Sequence, residues 1–374
     1  MPQLDWIFVL KVGLVFYAVL DLAILFFLRL GMKEKREYKL QSEIHGVSLI
    51  VCFKNEEENI RKYADRWLRQ FGIREWEIIL VNDGSTDKSA AIIEEKAKTT
   101  GVNYTLINID QTEKQGNGKK YALLKGVEQA QYDHLVFTDA DCQPASSYWM
   151  KKMSDMLGRN DLIIGISPYK YKKGFLNAWI CWEALYTLTQ YIGMAGWGRA
   201  YMGVGRNMAV KKDLFLKHND FDSHYHIPSG DDDIFVNKAA RSGVKVRVNF
   251  DREAYTYAEP VSSFGKYWKQ KSRHNRSGKA YNRLDVFILG SIFLTPIAFY
   301  SLFGLAIGFK VDLFSCLLLL CVKECIQFFI FRSMTDFNWE KKNWGLSNLY
   351  RVLSLLLQLL TLVRNIVSPS KKWN

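Results

Sequence analysis

What this chain has little of narrows the possibilities. Its six cysteines, at 52, 142, 181, 316, 321 and 325, form no C-x-x-C pair, and three lie in an apolar C-terminal region. That spacing excludes a disulfide framework and a zinc-site pattern, and it fits a main domain kept in a reducing compartment. No G-x-G-x-x-G follows the first strand-like run and no G-x-x-x-x-G-K-[ST] occurs, so a dinucleotide fingerprint and a phosphate loop are both missing. No small-residue cleavage site follows the apolar N-terminal run; Gly31-Met-Lys-Glu-Lys-Arg-Glu comes instead, which reads as an uncleaved anchor rather than a signal peptide. Acid is in deficit: 38 Asp and Glu against 51 Lys and Arg, a net charge of +13. No nucleic-acid module is evident. With apolar segments at both ends, the basic surplus suits the anionic face of a membrane, and no nucleic-acid partner is expected.

The chain's 374 residues exceed what one compact core needs, and the 48% of hydrophobic residues are unevenly spread. A polar middle, roughly 40–283, lies between apolar ends. Leu4 to Leu30 is apolar apart from Asp5, Lys11, Asp21 and Arg29. Lys33, Lys35, Arg36 and Lys39 follow it, so the positive-inside rule puts its C-terminal side in the cytoplasm. Asp21 is costly at bilayer depth and should face another helix or a polar cavity. Leu284 to Phe309 is long enough to span, with Pro296 as a kink, and Val311 to Phe331 is a second stretch containing Lys323 and Glu324, a pair suited to a bundle interior. Gly308-Phe-Lys-Val311 leaves room only for a tight helical hairpin. Leu346 to Val367, carrying Arg351 and Arg364, either spans or lies in the interface, and the basic tail 368–374 favours the interface. The expected organisation is an anchor over 1–31, a catalytic domain over 45–280, transmembrane or interfacial helices over 284–367 and a tail over 368–374.

The first half of the middle alternates. Val47 to Phe53, Glu77 to Val81, Tyr104 to Ile109 and Leu135 to Phe137 read as strands, and helices are expected over Glu56–Gln70, Asp87–Thr99 and Lys119–Ala130, with Asn55 as an N-cap of the first. Such alternation implies right-handed βαβ units and a mainly parallel sheet, in which ligands bind beyond the carboxyl ends of the strands. Polar residues gather at those ends: Lys54-Asn-Glu-Glu57, Asn82-Asp83-Gly84-Ser85 and Asp139-Ala-Asp141. Asp139 and Asp141 are two residues apart, where a strand gives way to a loop. Two like charges held close repel, so such a pair waits for a cation unless it is simply an exposed turn.

The second half is less regular. Asp161 to Ser167 reads as a strand. Phe175 to Met194 is a long aromatic-rich helix that packs on the sheet or lies against the membrane surface. Gly203-Val-Gly-Arg-Asn-Met-Ala-Val210 is a loop leading into a strand. Ser229-Gly-Asp-Asp-Asp-Ile-Phe-Val236 places three carboxylates before an apolar helical pattern, an arrangement that also suits a helix dipole. His224 and His226 read as loop histidines near the pocket, with a metal pair at i, i+2 as the other reading. Tyr267-Trp-Lys-Gln-Lys-Ser-Arg-His274 is basic and aromatic, and lies just before the next apolar segment.

Together these pieces resemble the family 2 glycosyltransferases, the large inverting group with the GT-A fold, and especially their membrane-anchored, bacterial polysaccharide- and lipid-glycosylating branch. Val81-Asn-Asp-Gly-Ser-Thr-Asp87 is similar to the "(D)DGSTD" segment, with Asn82 for the first Asp. Gly118-Lys-Lys-Tyr-Ala-Leu123 is similar to "GK..AL", Thr138-Asp-Ala-Asp141 to D-x-D, Gly230-Asp-Asp-Asp233 to the "ED" motif, and Gln270-Lys-Ser-Arg-His274 to "QxxRW" with His274 for Trp.

The resemblance implies an α/β GT-A nucleotide-diphospho-sugar transferase domain with N-terminal and C-terminal transmembrane helices. It implies that Asp83, Phe53 and Glu56 bind the nucleoside of an NDP-sugar, UDP-linked for preference. Asp139 would approach the ribose and phosphates, and Asp141 would ligate Mg2+ or Mn2+. Asp232 would be the general base, with Asp231 the competing choice. Gln270 and Arg273 would contact the diphosphate or the acceptor, and Lys119 and Lys120 would add positive charge nearby. The expected protein is a multi-pass inner-membrane enzyme with a cytoplasmic catalytic domain, acting on a lipid-linked or glycan acceptor. The alternative is a membrane-tethered nucleotide-binding scaffold on a degenerate transferase fold.

Overall fold

The fold follows from how apolar residues are distributed along the strands. In this computed structural model, which describes residues 6–32, 44, 46–112, 114, 119–218, 230, 232–334 and 345–367, all eight residues of β1 (Gly46–Phe53) are buried. α1 (Trp6–Gly31) precedes it. After it come α2 (Glu57–Leu68), β2 (Glu75–Asn82), α3 (Ser89–Thr100), β3 (Tyr104–Asn108), α4 (Lys120–Gln129) and β4 (His134–Asp139). Then come β5 (Cys142–Pro144), α5 (Trp149–Ser154), β6 (Leu162–Gly165), α6 (Phe175–Gly196), β7 (Met208–Lys211), α7 (Lys212–His218), α8 (Asp233–Arg241), β8 (Val246–Asn249) and β9 (Thr256–Ala258). Four helices finish the described chain: α9 (Phe264–Ser277), α10 (Arg283–Gly308), α11 (Leu313–Met334) and α12 (Ser347–Val367).

Seven strands form one sheet in the order β3-β2-β1-β4-β7-β6-β8. Strands β1 to β4 are parallel, as their alternation with helices requires, whereas β7 runs antiparallel between β4 and β6. The two-residue period of a strand sends alternate side chains to two cores. Val47, Leu49, Val51 and Phe53 pack with Trp67 of α2, Ile93 of α3 and Trp149 of α5. Ile50 and Cys52 face the other way, into a core with Val127 of α4, Ile192 of α6 and Leu28 of α1. The long aromatic helix therefore packs on the sheet and joins it to the first apolar helix.

That junction depends on glycine. A Cβ on Gly196 would sit 1.6 Å from the Gly31 carbonyl oxygen, and one on Gly193 would sit 2.6 Å from that of Leu28. Gly196→Ala is expected to cost about 1–3 kcal/mol by forcing α1 and α6 apart, read as a lower midpoint in thermal unfolding of the detergent-solubilised protein.

The helices α1, α10, α11 and α12 are each long and apolar enough to cross a membrane. Leu14 and Ala18 of α1 pack with Phe299 and Ala306 of α10 and with Cys316 of α11. Asp21 is buried in this bundle against two cations. Arg351 of α12 donates from Nη1 at 2.8 Å and from Nη2 at 2.5 Å, and Lys323 Nζ of α11 lies 3.1 Å away. Lys323 also pairs with Glu324 at 2.9 Å. The polar residues that interrupt the apolar runs thus satisfy one another, as expected of charge in a low-dielectric bundle.

One local expectation fails. Asn55 does not cap α2; Glu56 holds that position and makes no side-chain cap bond. Asn55 adopts φ 54°, a left-handed conformation that asparagine tolerates, and its Oδ1 accepts from Thr86 N at 2.8 Å. It ties the loop after β1 to the loop after β2 instead. Lys33, Lys35, Arg36, Lys39, Gly116 to Gly118, His224, His226, Asp231 and the tail 368–374 lie outside the described residues.

Candidate active site

Register places the acidic strand ends side by side. Cys52 of β1 pairs with Asp139 of β4, and Phe53 pairs with Asn82 of β2, so these strands end flush. From β1 the chain proceeds outward to β2 and β3 and then returns to β4 on the other side. That makes the carboxyl ends of β1 and β4 a topological switch point, where a crevice opens. A cavity of about 970 Å3 lies there. Phe53, Glu56, Asp83, Lys119, Asp139, Asp141, Asp232, Gln270 and Arg273 all line it. Lys120 does not: it is buried in the first turn of α4, because adjacent helical residues point about 100° apart and only one of two neighbouring lysines can face the crevice.

Three groups of charge meet in the cavity. At the end of β2, both oxygens of Asp83 accept from Lys114 Nζ at 2.6 Å, with little of either side chain exposed. Glu56 accepts from Asn59 at 2.6 Å; its carboxyl is raised above the usual range by burial and by the neighbouring Asp141, Asp139 and Asp87 charges.

At the centre, ligand atoms of Asp139, Asp141 and Cys142 lie within 4.8 Å of one another. Burial would raise Asp139, but its pairing with Lys119 and the nearby Arg206 and Arg273 hold it below the ordinary value. Asp141 moves the other way, raised by desolvation and by Asp139, although its side chain opens onto the cavity. The Cys142 thiol is buried, is pushed well upward by that burial and by both carboxylates, and donates to Asp141 Oδ1 at 3.1 Å. A thiol kept protonated beside two carboxylates is a poor site for a soft metal. The oxygen donors of the two neighbouring carboxylates fit a hard divalent ion.

On the far side stands Asp232 at the start of α8. Its Oδ2 accepts from Gly205 N at 2.7 Å and its Oδ1 from Asp233 N at 2.8 Å, which fixes the carboxylate plane. Asp233 is committed elsewhere: its Oδ2 accepts from the hydroxyls of Ser277 and Tyr281, each at 2.6 Å. This clasp holds the start of α8 against the end of α9, whose Gln270 and Arg273 face the cavity. Gln270 donates to the Tyr169 hydroxyl at 3.2 Å. His274 is pushed down to about 3 by its depth in the protein and by Lys271, Arg273 and Arg206, while its ring remains open to the cavity. It is therefore neutral at physiological pH and adds no charge.

Two functional residues had no local signal. Arg206 lines the cavity, stacks over the Tyr169 ring at 5.1 Å and donates to Ser167 Oγ at 2.7 Å. It reaches the carboxylates because antiparallel β7 enters beside the end of β4, and its neighbour Asn207 is held by Trp149, Ile166 and Ala254 at 2.9–3.0 Å. Lys114 meets Asp83 across a loop. Both are single basic residues in unpatterned sequence.

A mainly parallel α/β sheet with acidic groups at its switch point is a frame on which a transferase site can be built. Residues 48–218 match the family "Glycosyl transferase family 2", and the chain carries a glycosyl transferase family 2 domain on a GT-A scaffold. Among relatives, an undecaprenyl-phosphate 4-deoxy-4-formamido-L-arabinose transferase of Pectobacterium carotovorum is 35% identical over 104 residues, which cover 27% of this chain and 30% of that one. A poly-beta-1,6-N-acetyl-D-glucosamine synthase of Staphylococcus epidermidis is 31% identical over 99 residues, 26% and 22% of the two chains. The chain thus spans less than a third of the length of these relatives. A solved mannosyltransferase of Pyrobaculum calidifontis, in complex with GDP-Man and Mn2+, shares the fold over 96% of this chain and 99% of that one, with a TM-score of 0.63 at 16% identity.

Proposed function

We propose that this protein is a membrane-bound, metal-dependent inverting glycosyltransferase that moves a sugar from a nucleoside diphosphate sugar to a hydroxyl of a lipid-linked or glycan acceptor. The observation that carries this reading is the single cavity walled by the Asp139–Asp141 pair on one side and Asp232 on another. The relatives' names, one a transferase to undecaprenyl phosphate and one a polysaccharide synthase, support the acceptor class.

The roles follow from charge. Asp83 and Glu56, with Phe53, hold the nucleoside. Asp141 would ligate Mg2+ or Mn2+, with Asp139 toward the ribose and phosphates, and the ion would offset the charge that develops on the diphosphate as the sugar–phosphate bond breaks. Lys119, Arg206 and Arg273 add cationic groups beside that leaving group. The anomeric carbon becomes cation-like as the bond lengthens. Asp232 accepts the acceptor hydroxyl's proton, and attack from the face opposite the leaving group inverts the configuration. The catalytic domain lies on the cytoplasmic side, where nucleotide sugars are made.

Calorimetric titration with UDP or GDP and Mn2+, followed by assay of nucleoside diphosphate release from the matching sugars, tests the reading; no binding and no release with any common donor would overturn it, and binding without release would favour the scaffold alternative. Asp141→Asn is expected to weaken Mn2+-dependent nucleotide binding by at least about 100-fold. Because Asp141 is raised and only its ionised form ligates, Mn2+ affinity should fall on acidification from a higher pH than for an ordinary carboxylate. An Asp141→Asn protein with unchanged Mn2+ dependence would remove it from the metal site.

A further inference from the structure

The cavity does not end at the sheet. It is also lined by the apolar helices. α10 contributes Leu289, Ile292 and Phe293, and α6 and α12 contribute the polar Gln190, Ser354 and Gln358 among the leucines of α12. The α10 wall is fixed to α8, the helix that Asp232 caps. Asn237 Oδ1 of α8 accepts from Asn282 N at 3.0 Å, and its Nδ2 donates to Asp285 Oδ2 at 2.9 Å. Arg241 and Arg199 also reach Asp285, at 2.9–3.1 Å. Phe293 lies eight residues beyond Asp285, roughly 12 Å further along α10.

We propose that the acceptor is a single-chain amphiphile whose hydroxyl-bearing head reaches Asp232 and whose chain lies along α10, entering the slot from the membrane. This rests on the transferase reading above and deepens it. A growing glycan fits the slot less well. Leu289, Ile292 and Phe293 offer no hydrogen-bond partner, so sugar hydroxyls laid against them would lose water without compensation. An alkyl chain gains from the same wall, about four-fold in affinity per buried methylene. The polar groups of Gln190, Ser354 and Gln358 suit the head and its first linkage. α12 packs chiefly on α9 and α6 and more lightly on α11, α10 packs on α1 and α11, and α10 and α12 are not among the closely packed helix pairs, which leaves the side between them for a lateral entrance.

The test uses the full-length protein in nanodiscs, photolabelled with an alkyl glucoside bearing a diazirine at the chain end and mapped by peptide mass spectrometry. Labels on Leu289, Ile292 and Phe293 should be displaced by unlabelled long-chain alkyl glucoside, with potency rising steeply with chain length. Labels on Phe287 and Leu294, which are 70% and 60% exposed and outside the cavity wall, should remain. Gly290→Trp narrows the slot at a position where a Cβ would meet nothing within 4 Å. It should abolish displaceable labelling while leaving calorimetric binding of UDP or GDP with Mn2+ unchanged. A soluble cello-oligosaccharide that displaces the label as well as the alkyl glucoside does, or label that no chain length displaces, overturns the proposal. Displaceable label with no nucleotide binding would instead overturn the transferase reading and leave the slot standing.

Discussion

Asp232→Asn is expected to lower sugar transfer by about a hundred- to ten-thousand-fold, the usual contribution of a general base, while Mn2+-dependent nucleotide binding stays within about two-fold. The geometry underlies both halves. Asp232 lines the cavity, and its carboxylate is oriented by the Gly205 and Asp233 amides. An asparagine keeps one acceptor oxygen for those amides but accepts no proton at neutral pH. The donor-side groups Asp83, Asp139 and Asp141 sit on other strand ends and are untouched. Asp233→Asn should behave differently. It weakens the clasp to Ser277 and Tyr281, so its main effect should be on the thermal midpoint. Steady-state release of nucleoside diphosphate alongside calorimetry separates the two variants. A fully active Asp232→Asn protein would move the base to Asp231 or Asp233.

Asp21→Ala should destabilise the helix bundle by about 3–5 kcal/mol, because removing one partner of a buried ion pair strands the other charge. Here it leaves Arg351 and Lys323, each 1% exposed, near one another without the carboxylate that neutralises them. The measurement is thermal unfolding of the solubilised protein followed by size-exclusion fluorescence. A double variant, Asp21→Leu with Arg351→Met, should recover much of the loss, since well-packed apolar groups can replace a buried pair at little cost. An Asp21→Ala midpoint equal to wild type would show that the pair contributes nothing to the bundle.

The strands β1, β2 and β4 were legible because each is centred on a short apolar run that is buried on both faces, and such runs signal themselves locally; β3, at the sheet edge, is only partly buried. The same holds for the carboxylates that end them. Asp83, Asp139 and Asp141 stand where an apolar run stops, and register alone then brings them together. Helix caps and faces were less legible. Asn55 has a capping side chain, yet a tertiary bond to Thr86 takes it. Lys119 and Lys120 look equivalent in sequence, and only the direction of α4 relative to the sheet separates the cavity lysine from the buried one.

By itself the sequence determined the α/β class, the apolar ends and the identity of the acidic groups, since all of these depend on residues close together in the chain. It also required that Asp21 find a partner inside the bundle. Which partner was a tertiary decision: Arg351 lies 330 residues away, and no local pattern links the two. The same is true of Arg206, brought to the Asp139–Asp141 pair by an antiparallel strand inserted into an otherwise parallel order, and of the slot that runs from Asp232 between α10 and α12. Periodicity specifies which side of an element is buried; only the packing of distant elements decides what each buried side meets.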